Sequence, residues 1–286
     1  MTGGSKISSV RIRLFVLALV LLPGCTTHPI TGRDQMVAMP GVQIAFADAD
    51  YSLSTGAQRI TASRGCVEGC ASSARLARFT ERIAYVGARL ENAARGMSPE
   101  LFERIGGFSI SVDGHLGVST ASSAGGRIVI GAGVIDLESR LAPTGLESGL
   151  GGLEPQDTLI AFLLAREMAH VIARHAEENS GASMAVSAIG LLVPGVNVFA
   201  RFLVARISAG ALRESWSTEQ AREADEIALA LLQSSGLSLL SVSLDLGRGI
   251  DHARLPADAW GEAYLNSAQR VAYLAATPMR YTRIGP

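Results

Sequence analysis

Between Ala71 and Ala94 the apolar residues Leu76, Phe79, Ile83, Val86 and Leu90 recur at helical spacing, which predicts an amphipathic helix with one buried stripe. From Phe108 to Asp136 the period changes. Phe108-Ser109-Ile110-Ser111-Val112 alternates, and Gly125-Gly126 leads into the β-branched run Arg127-Ile128-Val129-Ile130, so both segments read as strands of a small sheet. Residues 142–156, rich in glycine and proline, form a loop that ends at Asp157, an N-cap for a helix over Thr158 to Glu178. Ile160, Leu163, Leu164, Met168, Val171 and Ile172 make that helix largely buried. Gly181 to Leu212 is apolar but broken by Pro194, Gly195, Asn197, Arg201 and Arg206. It suits a helical hairpin packed on the core or dipping into a membrane interface better than a spanning helix. Ser217 and Gln220 have capping-box spacing and open a helix that runs through Ile227 and Leu231 to Gly236. A last helix covers Ala257 to Ala276, and residues 26 to about 50 read as an extended leader. The sum is an α+β fold, mainly helical with a small sheet, and no internal repeat interrupts it.

Composition narrows the partners. The 286 residues are 48% hydrophobic and 18% charged, with a formal net charge of -1, so no basic excess exists to neutralise phosphates and a nucleic-acid partner is excluded. At the N-terminus Lys6, Arg11 and Arg13 precede the short apolar run Leu14 to Leu22, and Leu22-Pro23-Gly24-Cys25 follows. That order resembles a bacterial lipoprotein signal, which implies removal of residues 1–24 and a lipid anchor on Cys25; an uncleaved signal anchor is the alternative. Either way the chain is expected outside the cytoplasm and tethered to a membrane. Thr26 offers no inner-membrane retention signal, which favours the outer membrane. In an oxidising compartment Cys66 and Cys70 are expected to form a local disulfide, the alternative being two free thiols. The expected division is 1–24 signal, 25–70 leader and cysteine loop, and 71–286 a single domain.

Candidate chemistry sits in Arg166-Glu167-Met168-Ala169-His170. A helix reading His-Glu-x-x-His places two imidazoles at i and i+4 on one zinc ion and a glutamate beside them as general base. Glu167 and His170 keep the base and the second ligand, but position 166 is an arginine, whose guanidinium has no lone pair for a metal.

Further blocks extend the likeness. Pro29-Ile30-Thr31-Gly32-Arg33, Ala124 to Ile130, Ala165 to His175, and Glu223-Ala224-Asp225 with Ile227 and Ala228 occur in the order seen in the M48 family of membrane-associated zinc metallopeptidases, and the chain resembles its periplasmic lipoprotein branch. The resemblance implies a gluzincin-type domain, with Gly125, Gly126, Arg127 and Ile128 at the edge of a substrate groove and Asp225 supporting the site from a second helix. It also implies a third zinc ligand four residues before Asp225, where this chain has Ala221. Glu219 and Glu223 point about 200° away from that position on a helix. Near the C-terminus, where the resemblance implies a His-Pro pair, this chain departs with Tyr264-Leu265 ahead of Arg270.

The ligand count decides the functional expectation. A catalytic zinc takes three protein ligands and lowers the pKa of bound water from about 15.7 to about 7, worth roughly 12 kcal/mol. A general base alone contributes about 10²–10⁴-fold. The expected function is therefore a catalytically inactive, membrane-tethered pseudopeptidase, with Glu167 a vestigial base, His170 the one retained ligand and no cofactor. It would bind an envelope protein client or a partner protease, with Arg127 to Ile130 receiving an extended peptide. The alternatives are an active zinc metalloendopeptidase of envelope quality control, with missing ligands drawn from His175, Asp225 or a loop, and a structural lipoprotein without a working groove. Arg166 is expected either to pair with a carboxylate in place of the metal or to snorkel to solvent. His175 lies about 140° from His170 on a continuous helix and is expected to shape the helix end. Glu177 and Glu178 read as a solvated face, and His28, His115 and His252 lack metal-like partners in sequence.

Overall fold

A computed structural model describes residues 25–28, 30–36, 44–45, 47–48, 51–52, 73–114, 120–135, 157–180 and 217–237. The signal segment, Cys66, Cys70, His115, His252, the 181–212 apolar stretch and the C-terminal helix lie outside the described residues. The elements are strands β1 (Cys25–Thr27) and β2 (Asp34–Met36), helices α1 (Ser73–Met97) and α2 (Pro99–Ile105), strands β3 (Ser109–Asp113), β4 (Thr120–Ser122) and β5 (Arg127–Gly131), and helices α3 (Asp157–Ile172) and α4 (Thr218–Ser234). The mainly helical α+β reading holds.

α3 is the centre of the molecule. It is buried on every side, from Leu159 through Phe162 and Leu164 to Met168 and Ile172. A helix apolar all round needs neighbours on all faces, and α4, α1, β4 and β5 supply them. α1 contributes the predicted stripe, with Phe79, Ile83, Val86 and Leu90 buried and continued by Ala94 and Met97. Gly87 lets it approach the sheet, because a Cβ there would meet Ile110 Cδ1 at 2.5 Å. α4 opens with the predicted capping box: Ser217 Oγ accepts from the Gln220 N–H at 3.1 Å and Gln220 Oε1 accepts from the Ser217 N–H at 3.2 Å. Its stripe Ala221, Ala224 and Ala228 is fully buried.

α2 was not foreseen, although its punctuation was present. Pro99 sits in its first turn, and Gly106 ends it in the left-handed region (φ 75°), with its N–H bonded to Phe102 O at 2.9 Å.

The sheet order is β3-β5-β4, with β3 parallel and β4 antiparallel to β5. This corrects the groove-edge expectation. Arg127 to Ile130 form the central strand, hydrogen-bonded on both sides, and among the described residues the terminal strands are β3 and β4. Ile128 and Ile130 enter the main core, while Val129 faces the other way and packs with Tyr51 and Ala121. The leader covers that second face: the Gly125 N–H donates to Asp48 Oδ1 at 2.9 Å, and the Arg127 guanidinium lies 5.1 Å from the Tyr51 ring centroid.

The leader also reaches the far end of α3, so residues 28–35 belong to the main body rather than to a separate extension. The motif helix stops at Ile172, short of the expected Glu178. Arg174 adopts φ 57°, and residues 175–180 restart as a short helical turn. Helix ends leave carbonyls without intrahelical donors. Here the β1–β2 hairpin supplies them: His28 Nε2 donates to Ile172 O at 2.8 Å, and the Gln35 side-chain amide donates to Ala173 O. Because a left-handed backbone disfavours branched side chains and suits glycine, Arg174→Gly is expected to leave stability unchanged or raise it slightly. Arg174→Val is expected to cost about 1–2 kcal/mol. Urea unfolding midpoints of the two variants would show the difference.

Candidate functional site

The break at Arg174 makes the site. On a continuous helix His175 would turn away from His170. The reversal instead folds it back, so that the two Nδ1 atoms lie 2.9 Å apart and His175 Nε2 lies 2.9 Å from Glu223 Oε2. The hydrogens follow from the partners. Burial is the largest influence on His175 and holds its pKa below the ordinary 6.5, so the ring is neutral at pH 7. Glu223 can only accept, so His175 donates from Nε2 and accepts at Nδ1. His170 therefore donates from Nδ1 and keeps its lone pair on Nε2.

Glu223 and the leader close this network. Arg33 donates from Nη1 and Nη2 to the two oxygens of Glu178 at 2.9 and 2.7 Å, and its Nε bonds Glu223 Oε2. Gln220 adds a 3.0 Å bond to Glu178 Oε2. Burial pushes the Glu223 carboxyl up, but hydrogen bonds from His175 and Thr31 and the charge of Arg33 outweigh it and hold the pKa at about 2. Glu178 is lowered in the same way, burial being outweighed by Arg33 and Gln220. Neither Glu177 nor Glu178 forms the solvated face expected of them. Glu177 is buried against Arg104 at 3.0 Å, and burial pushes its pKa up despite that cation.

Arg166 does not snorkel. It is 3% exposed, and its Nε lies 3.4 Å from Oδ1 of Asp225, which is fully buried. That separation is an ion pair rather than a short hydrogen bond. Ala221, one turn before Asp225 on α4, is also fully buried. Glu167 faces the sheet: Thr120 Oγ1 donates to its Oε1 and Ser122 Oγ to its Oε2, each at 2.7 Å. Of the residues assigned to a groove edge, Gly125 and Arg127 hold the leader, Gly126 makes the turn at φ 81°, and Ile128 is core.

The structure thus brings Arg166, Glu167, His170, Ala221 and Asp225 onto two packed helices. A family model for Peptidase family M48 matches residues 119–284, more than half of the chain and both helices. The chain belongs to peptidase family M48. No curated protein and no solved structure matches it. Family membership implies a zinc metallopeptidase, so the donors must be tested against that ion. Arg166 offers no lone pair and already faces Asp225, Ala221 offers no donor atom, and His175 and Glu223 bond each other. Among the described residues no group of three or more His, Cys, Asp or Glu side chains could hold a metal, and these residues do not fit a zinc ion. Also among the described residues, no helix is long and apolar enough to cross a membrane.

The sequence reading missed His28, Arg33, Thr120, Ser122 and the pairing of His175 with Glu223. The leader block Thr31-Gly32-Arg33 stands in the sequence, but nothing in the chain's pattern says that its neighbour His28 docks on a helix end 144 residues away. His175 was misplaced because an arginine in the left-handed region leaves no sequence signature.

Two outcomes are expected. The native carboxyl of Glu223 binds its proton at about 2, below its ordinary 4.5, so the stability it contributes is present above pH 4.5 and lost as pH falls toward 2. Glu223→Gln should flatten that part of the stability–pH curve, read by thermal unfolding between pH 6 and 2. Separately, Asp225→Asn removes the anion facing the buried guanidinium and should cost about 3–5 kcal/mol, while Arg166→Met with Asp225→Asn should recover most of it. Chemical denaturation of the three variants measures both.

Proposed function

We propose that this M48 chain is a membrane-tethered, periplasmic pseudopeptidase that binds envelope proteins as a chaperone or as an adaptor for a partner protease. The observation that carries the reading is the buried pair of Arg166 with Asp225. A fixed guanidinium supplies, at the first ligand's position, the positive charge that a metal would otherwise bring to the carboxylates around it. It cannot lower the pKa of a water by coordination, and the roughly 12 kcal/mol of activation that zinc provides has no other source here. The Lys6–Arg13 charges, the Leu14–Leu22 apolar run and Cys25 support a lipid anchor, with the outer membrane as its preferred site. The peptide-binding edge belongs to β4, the antiparallel strand that is terminal among the described residues, whose outer side would accept an extended segment.

The rival reading, an active zinc endopeptidase of envelope quality control, needs at least two new ligands. Two of its candidates are engaged: His175 bonds His170 and Glu223, and Asp225 faces Arg166. What still favours it is the 2.9 Å contact of His170 Nδ1 with His175 Nδ1, which, with His170 as donor, leaves the lone pair on Nε2.

Zinc content separates the two. The purified wild-type chain is expected to carry no stoichiometric zinc, while the double variant Arg166→His with Ala221→Glu, which restores the motif's three donors, should bind about one ion per chain. One tightly held zinc in wild type would overturn the pseudopeptidase reading and call for a protease assay.

A further inference from the structure

We infer that Glu167 acts in this chain as a positioning residue that locks strand β4 to α3. A general base must present a carboxylate oxygen to water or substrate. Both oxygens of Glu167 instead accept a 2.7 Å hydroxyl bond, one from Thr120 and one from Ser122, and the residue is 3% exposed. Hydroxyl-to-carboxylate bonds of that length are of the strong, charge-assisted kind. Their donors are two apart on β4 and so lie on one face of it. Ala121, between them, faces the other way and packs with Tyr51 and Val129.

β4 needs such a lock. It is three residues long and, among the described residues, pairs with β5 alone, and so short a strand with one neighbour is marginal by itself. Its terminal place makes it the strand on which an added peptide would depend for direction and register. Glu167, one residue past Arg166, fixes that edge against the same helix that carries the ion pair. The catalytic position of the motif thus becomes the mount of the binding edge. This role rests on the non-hydrolytic reading, because a carboxylate 3% exposed, with each oxygen turned to a β4 hydroxyl, presents neither to a reacting water.

Hydrogen exchange on the full-length chain, read by mass spectrometry over β4 with β3 and α4 as internal references, tests it without any client. Glu167→Ala should speed exchange of the β4 amides roughly tenfold or more, and Thr120→Val with Ser122→Ala, which leaves α3 intact, should do the same. Glu167→Gln, which retains an accepting oxygen and offers N–H donors, should stay within about threefold of wild type. Unchanged β4 exchange in Glu167→Ala would overturn the assignment, as would equal acceleration of β3 and α4, the mark of a general loss of stability. A wild type that cleaves peptides and loses that activity in Glu167→Gln would sink this role and the pseudopeptidase reading together. Zinc in wild type with the expected exchange pattern would sink only the latter.

Discussion

Every face of α3 is covered by protein, and from that constraint most of the molecule follows. Arg166, Glu167 and His170 are each within 3% of full burial on this one helix. A polar group there costs several kcal/mol unless it finds a partner inside. Each therefore has an assigned contact from a different element: Asp225 on α4 for Arg166, Thr120 and Ser122 on β4 for Glu167, and His175 from the turn beyond the helix for His170. The site is the set of solutions to that accounting, and those solutions join α3 to α4, to the sheet and to its own C-terminal turn.

Such a network also constrains how a metal site can be lost. Removing a divalent ion from a buried pocket leaves carboxylates facing low dielectric, which is untenable unless charge is removed or replaced. Under the proposed reading, Ala221 stands where the family resemblance implies a carboxylate ligand and Arg166 where it implies a histidine, one removing negative charge and the other adding positive charge. Family membership in M48 describes the scaffold that holds this pocket, and the donors placed in it do not fit a zinc ion.

The leader is the second theme. A segment that reads as an extended tail caps two carbonyls at the end of α3 through His28 and Gln35 and clamps Glu178 and Glu223 through Arg33. Further on, Asp48 and Tyr51 cover the turn and the outer face of the sheet. These residues stand where backbone groups would otherwise lack partners. Gly125 shows how closely the leader seats, since a Cβ there would meet Asp48 Oδ2 at 2.5 Å.

Local rules and apolar spacing sufficed for the α1 stripe, the capping box of α4, the β3 and β5 strands and the burial of α3, because each depends on side chains a few positions apart. The motif residues were equally legible, since Arg166 and Ala221 stand in register with Glu167, His170 and Asp225 along two helical periods. Strand order was not, because hydrophobic alternation marks a strand without naming its neighbours: it does not show that β5 is central, and the three-residue β4 is too short to carry a pattern. Nor was the reversal at Arg174, which depends on contacts made by the leader and by Glu223 rather than on the arginine's own preference. Sequence alone determined which apolar faces had to be buried and which polar residues share the motif helix. Only the tertiary structure decided which partner each would have, because in a buried site that choice rests on contacts between residues far apart in the chain.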